Sequence, residues 1–225
     1  MAAQQNGTSP GRPAPRRLPR GRHALPREEV ERLQRSRLCL AMAEVMTEKG
    51  YVNTSVEDVL RRAGVSRQSF YQVFDSKLGC FMAAFDRAGE MLTARLMKTS
   101  GLSAPQVTGD PPDLFERAFT AYLDALTAEW PFTRLFLVEV YAAGPEAVRR
   151  RTALQTAIAD ALADLMGATD PAGRATCQVI VAAVSAMVTG PVAMGDPDGV
   201  RAVGPLIIDH VRRLWAAGLF TGNRP

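Results

Sequence analysis

Five polar side chains fall within six consecutive residues, Arg67, Gln68, Ser69, Tyr71 and Gln72. Their chemistry suits the edges of nucleic-acid bases. An arginine fork matches guanine O6 and N7, a glutamine amide matches adenine N6 and N7, and a serine hydroxyl meets several groups. A tyrosine hydroxyl on the same side can reach a phosphate oxygen. So can Thr54 and Lys77, which stand at the expected starts of the preceding and following helices. Taken singly, exposed Arg and Gln on a helix are an ordinary solvated face. Their position alters the reading: they open a short helix whose opposite side is Phe70, Val73 and Phe74, so Tyr71 and Gln72 must point away from the core.

That helix needs a partner to aim it. Thr54-Ser-Val-Glu57 has capping-box spacing, with hydroxyl and carboxylate each able to satisfy a free backbone N–H at a helix start. Val56, Val59, Leu60 and Ala63 follow at i, i+3, i+4 and i+7, which gives one buried face. Gly64 suits the left-handed position that ends a helix, and Val65 can fold back on the apolar side. Ser66 then caps the second helix. Two short helices joined by a Gly-containing turn of three or four residues form a helix-turn-helix, whose second helix enters the major groove.

A helix from Glu28 to Gly50 precedes the pair, with Val30, Leu33, Ala41 and Val45 on one face and Leu38 and Met42 widening it. After Asp75-Ser76 a longer helix runs to about Ser100, carrying Phe81, Phe85, Leu92 and Leu96. At 1.5 Å per residue it spans about 36 Å, enough to link two lobes. A loop, GLSAPQVTGDPP, leads into helices expected over 112–129, 131–143, 145–166, 172–190 and 199–218, with Pro131, Pro145 and Pro171 in first turns. The expected fold is all-α, with a three-helix helix-turn-helix unit over 28–76 and a larger helical unit for effector binding and dimerisation over 77–225, residues 77–100 linking them.

The stretch YVNTSVEDVLRRAGVSRQSFYQVFDSKLGCF resembles the DNA-binding domain of the TetR, or tetracycline-repressor-like, family. The matching features are Thr54, the SVEDV helix, AGVS at 63–66, Ser69-Phe70-Tyr71, Phe74 and Ser76-Lys77. The sequence departs from the family pattern where Leu78 follows Lys77, at Gly79, and where Leu60 stands in place of a smaller residue. The resemblance implies a homodimer reading a palindrome, its last two long helices pairing across the interface, and an effector cavity in the C-terminal part. The expected function is thus a ligand-responsive repressor, with activation, or control by a protein partner, as the alternatives. Its expected partners are double-stranded operator DNA, a small hydrophobic effector and a second copy of the chain.

The C-terminal half offers less chemistry. Phe115, Phe119, Tyr122, Trp130 and Phe136, with Phe132 and Tyr141, form an aromatic set that is either plain core or the lining of an effector pocket. Cys177, Val181, Val184 and Val188, with Ile207, Val211 and Leu214, are the expected dimer seam, because an interface core is apolar and poor in charge. The uncharged run 175–195 is long enough to span a bilayer, but Thr176, Gln178, Ser185, Thr189, Gly190 and Pro191 dilute it, so a helix buried on most sides is expected and no membrane.

The net charge of +4 comes from residues 1–27, which hold six arginines and no acid. The pI therefore says nothing about the folded part. This arm is expected to lack fixed structure, either touching DNA phosphates or simply solubilising the chain. Cys39, Cys80 and Cys177 lie far apart in apolar patterns and read as reduced core residues rather than a metal or disulfide set. The only histidines are His23 and His210, and no P-loop, G-x-S-x-G or H-E-x-x-H motif is present. No enzyme activity, cofactor or metal is expected, and a cytoplasmic location is.

Overall fold

The computed structural model describes residues 26–100 and 109–220. The basic arm, apart from residues 26 and 27, lies outside them, as do His23 and most of the loop before the second half. Every described element is helical, and the order follows the sequence expectation closely. α1 (Arg27–Asn53), α2 (Val56–Ala63), α3 (Arg67–Val73) and α4 (Lys77–Ser100) come first. Then follow α5 (Pro111–Ala128), α6 (Trp130–Arg134), α7 (Pro145–Leu165), α8 (Pro171–Met194) and α9 (Pro197–Ala216). Prolines in the first turns of α5 through α9 supply a preset φ where no backbone donor is needed.

The stretch expected as one helix over 131–143 is not uniform. α6 passes at Leu135 into a π-helical segment, Leu135–Glu139. Such a widened turn is uncommon and recurs at functional sites.

α1 loses its regular geometry at Gly50, where φ is 73°, and a single turn continues to Asn53. Its buried side runs from Leu38 through Met46, while Leu33, expected to be inward, is exposed. Leu33 lines a hollow between α1 and α4, beside Asp86, Arg87 and Glu90, instead of packing into the core. α1 packs on α2, α3, α4 and α6, and the buried apolar side chains form one continuous cluster from Leu38 to Phe220. All three cysteines are free and buried.

α8 departs from expectation. By length and composition it could cross a membrane, yet only 28% of its apolar window is buried within the chain. Four residues assigned to a dimer seam, Cys177, Val188, Ile207 and Val211, are instead buried in the chain's own core, and Val181, Val184 and Leu214 are half-buried. The uncovered apolar face of α8 lies one register over, along Val179, Ala182, Ala186 and Gly190, with Met187 and Met194 beside it.

Candidate nucleic-acid interface

The cap of α2 sits one residue later than the sequence spacing suggested. Ser55, not Thr54, is the N-cap: its hydroxyl oxygen accepts from Asp58 N at 3.1 Å, and Asp58 Oδ2 accepts from Ser55 N at 3.1 Å. Lys49 Nζ donates to Asp58 Oδ1 at 2.7 Å. That bond, with those from Ser55, holds the Asp58 carboxyl well below the usual carboxylate range. Thr54 is only 2% exposed, and its hydroxyl donates to Gly50 O at 2.7 Å. Thr54 is therefore turned inward, and its proton is not offered to a phosphate. Both residues have capping chemistry; the break in α1 at Gly50 decides between them.

Gly64 adopts φ 63°, ψ 39°, a left-handed conformation that costs a Cβ-free residue little. The N–H groups of Gly64 and Val65 both turn back to Leu60 O, closing α2. Ser66 caps α3 by accepting from Ser69 N at 3.0 Å, and the two serine hydroxyls share a 2.9 Å bond. Arg62 forks onto Glu44 at 3.2 Å and Glu48 at 2.6 Å, stitching α2 to α1. Spacing within one element could not show that tie, since Glu44 and Glu48 lie on a different helix.

With α3 seated, its two sides are distinct. Phe70 is fully buried and Phe74 nearly so, the latter beneath the Arg35 guanidinium at 4.8 Å. Arg67, Gln68, Tyr71 and Gln72 are exposed together, joined by Ser66, while Ser69 is half-buried. Tyr71 is 50% exposed, its ring edge-on to Phe70 at 5.3 Å. Arg67 Nη2 sits 2.9 Å from Glu57 Oε2, both largely in solvent. An exposed pair of this kind contributes little and yields readily to a stronger acceptor.

Lys77 is not the free phosphate ligand the sequence suggested. Its ammonium donates to Tyr51 O and Thr54 O, each at 3.0 Å, and lies 4.1 Å over the Tyr51 ring. Burial lowers its pKa from 10.5. One side chain thereby clamps the end of α1, the entry to α2 and the first turn of α4.

A second tie escaped the sequence reading. Glu139, at the end of the π segment and nearly buried, accepts from Tyr51 N at 2.7 Å. Arg134 Nε approaches Glu139 Oε1 at 3.4 Å, close enough for an ion pair but without hydrogen-bond alignment. Arg134 Nη1 also donates to Ala193 O at 2.9 Å, near the end of α8. A lone glutamate in the apolar run LFLVEV was the available signal.

The aromatic set is packed rather than open. Phe115 stacks on Phe119 at 5.4 Å, Phe119 on Tyr122 at 6.3 Å, and Phe136 on Phe85 at 4.8 Å, while Trp130 is half-buried. Two surface hollows, one beside Asp113 and Arg117 of α5 and one between α1 and α4 at Arg35 and Arg87, are lined by other residues. Asp209 pairs with Arg213 at 2.9 Å, one helical turn further along α9.

A long first helix, two short helices forming a capped, Gly-turned pair with an exposed polar edge, and six further helices define a helix-turn-helix regulator. Residues 40–84 match the model described as "Bacterial regulatory proteins, tetR family". The chain is 28% identical over 142 residues to the HTH-type transcriptional activator FasR of Mycolicibacterium smegmatis, a match covering 63% of this chain. The matched part spans 61% of that relative's length. The fold is shared with the TetR-family regulator PfmR of Thermus thermophilus, with TM-score 0.59, 23% identity, and coverage of 77% of this chain and 97% of that one. It is also shared with a TetR-family regulator of Agrobacterium tumefaciens, with TM-score 0.62, 16% identity, and coverage of 80% and 98%. The helix-turn-helix unit at residues 40–84 is thus of the kind found in the TetR family of DNA-binding transcriptional regulators, and the chain as a whole shares the fold of such regulators.

Proposed function

We propose that the protein is a ligand-responsive repressor that grips a palindromic operator as a homodimer and lets go when a small molecule binds its C-terminal part. The observation that carries the DNA-facing half of this reading is the single exposed edge of Arg67, Gln68, Tyr71 and Gln72, backed by the fully buried Phe70. Ser66 and Ser69 lie at the same end of α3, while Thr54 and Lys77 support the edge from behind. Residues 28–76 act as the reading unit and 77–225 as the responding unit, with α4 between them. A second copy covers the open face of α8 at Val179, Ala182 and Ala186, and it delivers two reading helices about 34 Å apart, one DNA turn. A chain with this partner works in the cytoplasm.

Fluorescence anisotropy against duplexes from the gene's own upstream region tests the reading. Arg67→Ala should weaken operator binding about 5- to 150-fold, since a good bidentate base contact is worth about 1–3 kcal/mol, and Tyr71→Ala should weaken it through loss of a phosphate contact. Unchanged affinity in both variants overturns it. Val179→Glu should shift the chain to monomer in light scattering.

Activation is the second reading, favoured by the name of the Mycolicibacterium relative. A promoter fusion with and without the gene separates the two by the sign of the change.

A further inference from the structure

α7 carries three successive arginines, and they end up in different surroundings. Arg149 and Arg150 are exposed. Arg151 is 2% exposed, on the same helical face as Ala147, Ala159 and Leu162. A buried charge ordinarily has an opposite charge beside it. Among the described residues, no carboxylate pairs with Arg151. Its Nη1 donates to Leu137 O at 2.8 Å, its Nη2 donates to Ser185 Oγ at 2.5 Å, and its Nε has no partner. The Tyr141 ring, itself 58% exposed, lies 4.9 Å from the guanidinium carbon and covers it.

We propose that Arg151 is the anchor for the anionic head of the effector, with Ser185 as its hydrogen-bonding neighbour and Tyr141 as the ring that must swing aside to admit it. This rests on the effector-responsive reading above and names the class of molecule: an amphiphile with a carboxylate or phosphate head. A guanidinium fork fits either oxyanion, and the free Nε provides one donor of such a fork. The apolar part of the ligand follows from what adjoins the head. Tyr141 covers the guanidinium, and Ala147 and Leu162 share the buried face of α7 with Arg151. The carbonyls that Arg151 now holds belong to the π segment, whose last residue, Glu139, binds Tyr51 N beside the helix-turn-helix. An incoming oxyanion competes with those carbonyls for the same guanidinium, so occupancy of the head site loosens a segment that touches the reading unit.

The test uses the full-length protein with octanoate, dodecanoate and dodecyl phosphate as probes, and octanol and dodecanol as uncharged controls. Binding is followed by thermal melting and by tryptophan fluorescence. At least one anion should raise the melting temperature while its matching alcohol does not, and the better anion shows which head the site takes. Arg151→Gln should weaken that anion at least tenfold, and Arg151→Lys should recover part of the loss. Tyr141→Ala should speed ligand entry in stopped flow. Circular dichroism and a cooperative thermal melt of Arg151→Gln show that the variant is folded. Alcohols acting as well as anions, no anion acting at all, or an unchanged affinity in a folded Arg151→Gln overturns the proposal. Loss of the regulator reading shows up separately, as wild-type protein that ignores operator DNA while still binding the anion.

Discussion

Glu139→Ala removes the one carboxylate that holds the helix-turn-helix to the π segment. The Tyr51 N–H, now 2.7 Å from Glu139 Oε2, loses its acceptor in a half-buried place. Leaving such a donor unsatisfied costs about 1–3 kcal/mol. Arg134 keeps its bond to Ala193 O but faces no acid, and its partial exposure lets water offset much of that loss, so about 1 kcal/mol is a fair addition. The total is about 3 kcal/mol, which for a chain of this size lowers the melting temperature by about 6–12 °C. Glu139→Gln retains an acceptor for Tyr51 and gives up only the charge, so its loss should be about a third as large. Differential scanning calorimetry of both variants is the assay. An alanine variant that melts within about 2 °C of wild type, or a glutamine variant as damaged as the alanine one, refutes the reasoning.

Ser55→Ala should cost about 1 kcal/mol in urea unfolding through loss of the α2 cap, whereas Glu57→Ala, at the other candidate box position, should change stability little. Burial pushes the Cys39 thiol from 9.0 up to about 11, and Cys80 beside it higher still. The folded chain then keeps protons that the unfolded chain releases, so stability should fall as pH rises from about 9 towards about 11. Urea midpoints across that range should drop, with a shallower slope in Cys39→Ala. At Gly173 an added Cβ would overlap the Phe220 carbonyl, so Gly173→Ala should destabilise by about 1–3 kcal/mol, measured by thermal melting.

α3 was legible because its signals are local. Gly64 and Ser66 mark a turn and a cap, and Phe70 and Phe74 four residues apart fix which side is buried. Thr54 and Ser55 show where local pattern stops. Each has a hydroxyl and an acid three residues on, Glu57 or Asp58, and only the backbone break at Gly50 and the ammonium of Lys49 select the second. Lys77 looked like a cation for phosphates because its acceptors are backbone carbonyls, which leave no trace in side-chain spacing. The open face of α8 was hard to foresee for a related reason: a helix that is apolar nearly all round does not reveal which stripe its own chain covers. Arg151 was hidden in a charged triplet, although its phase with Ala147 and Leu162 was there to be read.

Because one ammonium grips the end of α1, the entry to α2 and the foot of α4, none of the three can swing alone. Whatever turns α4 turns the exposed edge of α3 with it. Along a rod of about 36 Å, a pivot of about 5° at the far end carries the near end through about 3 Å. That is close to the step from one base pair to the next, about 3.4 Å along each strand. A tilt of that size is thus already enough to carry the exposed edge of α3 through about one such step.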